Sequence, residues 1–268
     1  EVIDGMLFGL GSNDAGGALV SLLGLFTHFY AMESLSYNLI IAATAEEESS
    51  GPNGLNSLLK DLPEIDVAIV GEPTQMQLAI AEKGLVVFDA VVKGTAGHAA
   101  HPNNDNPIMK SVDVINWFEQ LKFDRISDVL GPVKLTITQI EAGSQHNVVP
   151  SQVNMVLDVR VNESYSNQEI AEIVGQAPCE VTPRSLRLQS SSINKDHPLV
   201  IAGVGMGRNT YGSPTLSDQA ALNCPSLKLG PGDSTRSHTA DEFIYTNEIK
   251  EAVRIYIELL TEVIKPNV

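Results

Sequence analysis

Three consecutive carboxylates, Glu46-Glu47-Glu48, follow an apolar run at residues 37–43. Like charges packed this closely cannot all stay ionised without a positive centre among them, and a bound metal ion is a common one. The preceding run reads as a buried strand, short, apolar and abruptly ended. Ligands of open α/β sheets gather at the carboxyl ends of strands, so the position favours a site over a solvated acidic turn. Asp14 stands in a glycine-rich stretch ahead of the apolar run 18–30, whose spacing suits a buried helix. There it is either a ligand or a helix N-cap. That stretch lacks the Gly-Lys-Ser/Thr ending of a Walker loop and does not match the dinucleotide fingerprint. Glu72 ends a strand-like run at 67–70, and Pro73 stops it from continuing. His238 lies in a glycine-rich segment between a buried strand at 226–229 and an amphipathic helix from Thr246 to about Ile264. Carboxylates and an imidazole at such places are the donors of a divalent-metal site.

The elements that position these groups follow from the hydrophobic pattern. Strand 37–43, a short helix at 54–59 and strand 67–70 alternate as in a parallel α/β layer. From residue 84 the pattern changes. Strand 85–92, helix 107–121, strands 133–140 and 153–161, a helix near 167–175 and a strand at 185–188 give the order βαββαβ, a ferredoxin-like split unit with an antiparallel sheet. The expected fold class is therefore α/β: a parallel-type mixed sheet in residues 1–84 and 189–268, interrupted by a compact domain at 85–188.

The 268 residues carry a formal net charge of −16, which argues against nucleic acid or an anionic membrane as partner. No apolar run reaches the ~20 residues of a membrane helix. The two cysteines, Cys179 and Cys224, form no disulfide framework or thiolate zinc site, in keeping with a reducing cytoplasmic setting. The chain opens at Glu1 inside a strand and turn, the expectation being a processed piece or fragment.

Four segments in order, Gly11-Ser12-Asn13-Asp14, Glu46-Glu47-Glu48, Gly71-Glu72-Pro73-Thr74 and Ser237-His238-Thr239-Ala240-Asp241-Glu242, resemble the M20 family of zinc-dependent metallopeptidases and deacylases. The resemblance spans essentially the whole chain, with the inserted βαββαβ unit similar to the family's lid and dimerisation domain. It implies two zinc ions, with cobalt or manganese as substitutes. Asp14 would bridge them, Glu72 would complete one site, and Glu48 and His238 the other. Glu47 would be the general base. It also implies that His98 reaches a partner subunit's site as oxyanion donor, that Asn147 contacts substrate and that the active species is a homodimer. Arg160 would clamp a substrate carboxylate, unless it only pairs with Asp158 across strands. Arg184, Arg187 and Arg236 are further candidates to meet a succinyl carboxylate.

The family's His-x-Asp ligand ahead of the glycine-rich loop has no counterpart here, so this chain alone is expected to hold metal weakly at the Glu72 site and to be nearly inactive. Within the family the motifs look most like the acetylornithine branch. The expected reaction is hydrolysis of an N-acyl-L-ornithine, acetyl or succinyl, in arginine biosynthesis. The rival readings are succinyl-diaminopimelate desuccinylation in lysine biosynthesis, and a non-catalytic relative that binds without turnover.

Overall fold

Side chains along Gly84–Lys93 and Gln152–Val161 alternate between buried and more exposed positions, the period-2 signature of strands with one face on a core. In the computed structural model, which describes residues 1–33 and 35–264, these strands pair antiparallel from Gly84 opposite Val161 to Lys93 opposite Gln152. They are the centre of a four-stranded antiparallel sheet ordered Glu180–Pro183, Gly84–Lys93, Gln152–Val161, Lys134–Ala142. Two helices cover its buried face, with Val114 and Phe118 of Pro107–Gln120 and Ile170 and Val174 of Asn167–Val174 joining Val86, Phe88, Met155 and Leu157 in one core. Asn106 caps the first helix with its side chain on Ile108 N–H, and Ser166 with Glu169 forms a capping box on the second. These elements make up one compact unit, Lys83–Ser190.

The last strand of this unit is Glu180–Pro183, not residues 185–188. An edge strand tolerates a proline at its end, and Pro183 lies opposite Phe88 on the outer strand of the sheet. Residues 185–188 instead cross as irregular chain, with the Leu186 and Leu188 carbonyls accepting from Asn167 Nδ2.

The other unit combines Glu1–Glu82 with Ser191–Val268. Its main sheet runs Ser191–Ser192, Leu78–Glu82, Ser226–Lys228, Ala68–Val70, and Thr210–Ser213 adds to Leu78–Glu82. Ala68–Val70 is parallel to Ser226–Lys228, whereas Leu78–Glu82 is antiparallel to it, so the sheet is mixed. A smaller sheet sets Met6–Phe8 between Val2–Ile3 and Phe243–Tyr245. Helices Gly17–Tyr30 and Thr246–Val263 approach closely at Gly24, where an added Cβ would stand 3.1 Å from a Val253 methyl.

Two expectations are corrected here. Residues 37–43 form no strand: among the described residues nothing pairs with them, and Ile40 is 49% exposed. A short apolar run acquires strand geometry only when a neighbour takes up its N–H and C=O groups. Helix Gly17–Tyr30 buries one face, with Ala18, Leu25 and Phe29, while Leu19, Val20 and Leu23 are exposed. No helix of the described residues is long and apolar enough to cross a membrane.

Candidate metal centre

Asp14 lies where the chain passes from strand Met6–Phe8 into helix Gly17–Tyr30. Met6–Phe8 pairs with Phe243–Tyr245, which brings Glu242 alongside. The buried Glu242 Oε1 accepts from Asn13 N–H at 2.8 Å and Asp14 N–H at 2.9 Å. Asn13, fully buried, donates from Nδ2 to the Asp233 carbonyl (3.0 Å) and Ser237 Oγ (3.2 Å), and its Oδ1 accepts from Asp233 N–H (3.1 Å). The Asp14 turn is thereby stapled to the 233–237 loop. His238 follows in left-handed backbone at φ +58°, a conformation that costs a non-glycine residue energy and recurs at functional sites.

The imidazole arrives between two carboxylates. His238 Nε2 stands 3.8 Å from Asp14 Oδ2 and 3.7 Å from Glu48 Oε2. One donor atom from each of the three lies within 4.8 Å of the others. These separations are too long for hydrogen bonds. Donors that share one zinc ion at about 2.0–2.2 Å stand roughly 3.3–3.6 Å apart, so the grouping fits an ion without large movement. His238 and Glu48 side chains are 71% and 63% exposed, and Asp14 only 16%, so the cluster opens to solvent on one side.

The three glutamates divide. Glu46, at φ +61°, closes its own turn, its carboxylate accepting from Asn53 N–H (3.0 Å) and Asn53 Nδ2 (3.1 Å). Glu48 points to His238. Glu47 is partly buried; burial first, then the charges of Glu48, Asp218 and Asp14, push its carboxyl up to about 7. Burial, then Glu47 and Asp14, push Glu72 up to about 8. In both cases Lys228 pulls the other way. Glu72 therefore shares the electrostatic field of Glu47 and Asp14, but among the described residues no imidazole joins Glu72 and Asp14 as a third ligand. The Tyr211 phenol is raised by burial and by Glu72.

Below this cluster Lys228 and Glu82 form a buried ion pair at 3.2 Å. Lys228 Nζ also donates to the Thr215 carbonyl (3.2 Å) and Oγ1 (3.0 Å), and Glu82 accepts from Ser217 Oγ (2.8 Å) and N–H (3.3 Å). Thr44 Oγ1 donates to Asp218 Oδ2 at 2.9 Å. Asn13, Thr44, Asp218 and Lys228 were not singled out as site residues from sequence. Asn13 and Glu242 fall inside the four motif segments, where a buried polar residue beside a ligand was the available signal.

The remaining candidates belong to the Lys83–Ser190 unit. His98 and Asn147 are brought together there, since Gly97–His98 pairs with Val148–Val149 and Ala99 N–H donates to the Asn147 carbonyl at 2.9 Å. Arg160 takes the ion-pair alternative, its Nε and Nη2 on Asp158 Oδ1 and Oδ2 at 2.8 and 3.0 Å, but along one strand rather than across two. Arg184 is engaged by Asp89. In the other unit, Arg236 pairs with Glu248 and lies over Phe243 and Tyr245. Among the described residues Arg187 makes no ion pair.

Residues 80–178 match the family model of the peptidase dimerisation domain. The inserted unit is thus similar to the dimerisation domain of M20 peptidases. The chain is 26% identical over 294 residues to the succinyl-diaminopimelate desuccinylase of Wolbachia pipientis wMel, covering 99% of this chain and 73% of that relative. Relatives from Ehrlichia ruminantium and Caulobacter carry the same name. Among solved structures it is similar to the aminopeptidase PepT of Bacillus cereus, with a TM-score of 0.74 at 17% identity, covering 98% of this chain and 75% of that one. It is also similar to Bacillus subtilis YXEP, described as a dinuclear metal binding peptidase of the M20 family, with a TM-score of 0.67 at 16% identity, covering 92% and 71%. The fold is that of M20 peptidases. The acetylornithine expectation is corrected: the relatives are consistently named succinyl-diaminopimelate desuccinylase, so arginine biosynthesis is set aside. The motifs that suggested it surround the candidate metal donors and carry no information on the acyl group.

Proposed function

We propose that the protein is a divalent-metal-dependent amide hydrolase that acts on an N-succinyl amino acid of the diaminopimelate type. The observation that carries this reading is the convergence of Asp14, Glu48 and His238 beside the raised carboxyl of Glu47. The names of the relatives support the succinyl group and the lysine-precursor backbone. Oxygen and imidazole donors suit zinc, and also cobalt or manganese. Asp14, Glu48 and His238 would hold one ion, and Asp14 with Glu72 a second, weaker one. When bound, the ions supply the Lewis acidity that makes a water a competent nucleophile near neutral pH.

Glu47 does the proton work. Held near neutrality, it takes a proton from the attacking water and returns it to the departing amine. His98 would donate a hydrogen bond to the oxyanion, from the partner subunit of a homodimer, and Asn147 would contact the substrate. Among the described residues Arg187 has no ion pair to give up before meeting a substrate carboxylate, whereas Arg160 must first release Asp158.

Calorimetric titration with zinc, followed by turnover of succinyl-diaminopimelate, succinylornithine and acetylornithine, tests the reading. One tightly held ion, a second held more weakly, and, at the low turnover expected of this chain, preference for the diaminopimelate substrate are expected. Absence of metal binding, or preference for either ornithine derivative, would overturn it.

A further inference from the structure

We propose that Asp218 and Thr44 form a clamp that positions the Glu47-Glu48 turn against the sheet. This inference rests on the hydrolase reading for its catalytic consequence. Among the described residues, no hydrogen bond within the local chain fixes that turn against the sheet. Residues 37–43 have no ladder partner among the described residues, and the turn is bounded by left-handed residues, Glu46 at φ +61° and Ser50 at φ +47°. Its other hydrogen bonds are local, from Ser50 and Gly51 N–H, Ser49 Oγ and Asn53 back to Glu46 or Glu47. They shape the turn without locating it. Among the described residues, the hydrogen bond from Thr44 Oγ1 to Asp218 Oδ2 is the one that ties residues 37–50 to chain beyond residue 53.

Asp218 is a firm anchor because its own neighbours are buried and fixed. Ser217 gives both its N–H and its hydroxyl to Glu82, at the end of strand Leu78–Glu82. Glu82 pairs with Lys228, at the end of strand Ser226–Lys228, and Lys228 reaches back to Thr215. The 215–218 segment is thus bound to two sheet strands through side chains sealed from water, where such bonds are strong. Asp218 carries that rigidity across to Thr44, three residues before Glu47 and four before Glu48. Glu47 feels the Asp218 charge directly, which places the clamp within electrostatic range of the proton-transfer group. Asp218 is a positioning residue here.

The experiment has two arms, on wild type and the Thr44→Val, Thr44→Ser, Asp218→Ala and Asp218→Asn variants. Hydrogen exchange of the metal-free protein, resolved to the 44–51 segment, reads the clamp itself and needs no activity. Thr44→Val and Asp218→Ala are expected to speed exchange there by about tenfold and to leave strands Leu78–Glu82 and Ser226–Lys228 protected. Thr44→Ser and Asp218→Asn keep a hydroxyl donor and an oxygen acceptor and should retain wild-type exchange. Unchanged exchange in Thr44→Val and Asp218→Ala would overturn the clamp, and so would an Asp218→Asn variant as loose as Asp218→Ala. Titration with Co²⁺ and turnover of succinyl-diaminopimelate form the second arm. The two disruptive variants are expected to lose about 10- to 100-fold in kcat with KM little changed, and to bind Co²⁺ more weakly, with both properties rescued by Thr44→Ser. Faster exchange in a protein whose wild type neither binds Co²⁺ nor turns over substrate supports the clamp and overturns the hydrolase reading.

Discussion

Glu47 and Glu48 are adjacent in sequence and opposite in surroundings: Glu48 is largely exposed and points to His238, while Glu47 turns inward towards Glu72, Asp14 and Asp218. Their substitution should therefore separate. Glu47→Gln is expected to lower kcat by about 10²- to 10⁴-fold while cobalt affinity, read from its absorption spectrum, stays within a few-fold of wild type. Glu48→Gln should weaken cobalt binding first and lower activity only as a consequence. Equal phenotypes would refute the division. The raised carboxyls also set a pH dependence. Glu47 at about 7 and Glu72 at about 8 hold protons in the folded metal-free chain that the unfolded chain, at 4.5, has already released. Their contribution to stability is complete below about pH 4.5 and is lost as pH rises through 7 and 8. The melting temperature of metal-free protein should fall between about pH 4.5 and 8. Glu47→Gln with Glu72→Gln should flatten that fall, and an unaltered slope in the double variant would contradict the assignment. Metal competes with these protons, so zinc affinity should rise across the same window.

At the scale of elements, the site is assembled by polar staples between segments remote in sequence. Asn13→Ala removes three side-chain hydrogen bonds from a buried position and is expected to cost about 2–4 kcal/mol of stability in urea unfolding. It should also weaken zinc binding, because the 233–237 loop carries His238. Lys228→Met leaves Glu82 buried without its cation, a loss of about 3–5 kcal/mol, whereas Lys228→Met with Glu82→Gln should recover much of it. Much of the surrounding fold was legible in the sequence. Alternation along 85–92 and 153–161 announced the central strands of the inserted unit, and the motif segments held Asp14, Glu48 and His238. Other parts were not. Leu78–Glu82 is buried on both faces, so no alternation of apolar and polar residues marks it, and no strand was expected there. Residues 37–43 have strand composition without a pairing partner, and composition carries no information about partners. Thr44 and Asp218 act across 174 residues, and a single serine, threonine or aspartate leaves no pattern that marks such a contact.

For the whole molecule, the inserted unit presents features suited to a second copy of itself. Lys134–Ala142 is an outer strand with Ile140 53% exposed, and helix Pro107–Gln120 exposes Met109 at 66%. Unpaired strand edges and exposed apolar residues invite association. The match to a dimerisation domain gives the expected stoichiometry, and light scattering after size exclusion should report a homodimer. Ile140→Glu with Met109→Glu should shift it to monomer; an unchanged mass would place the interface elsewhere. The discontinuity of the other unit has a consequence for biosynthesis. Residues 1–82 supply Asp14, Glu48 and Glu72, but the imidazole comes from residue 238, and between them the ribosome must deliver the whole of Lys83–Ser190. That middle segment contains its own core and can fold as soon as it emerges. On the proposed metal reading, the acidic residues would not close on an ion until the last segment has docked. Metal capture would then be a late event in the life of the nascent chain, and a ribosome that stalls before residue 238 would release a protein with an intact inserted unit and without the His238 donor.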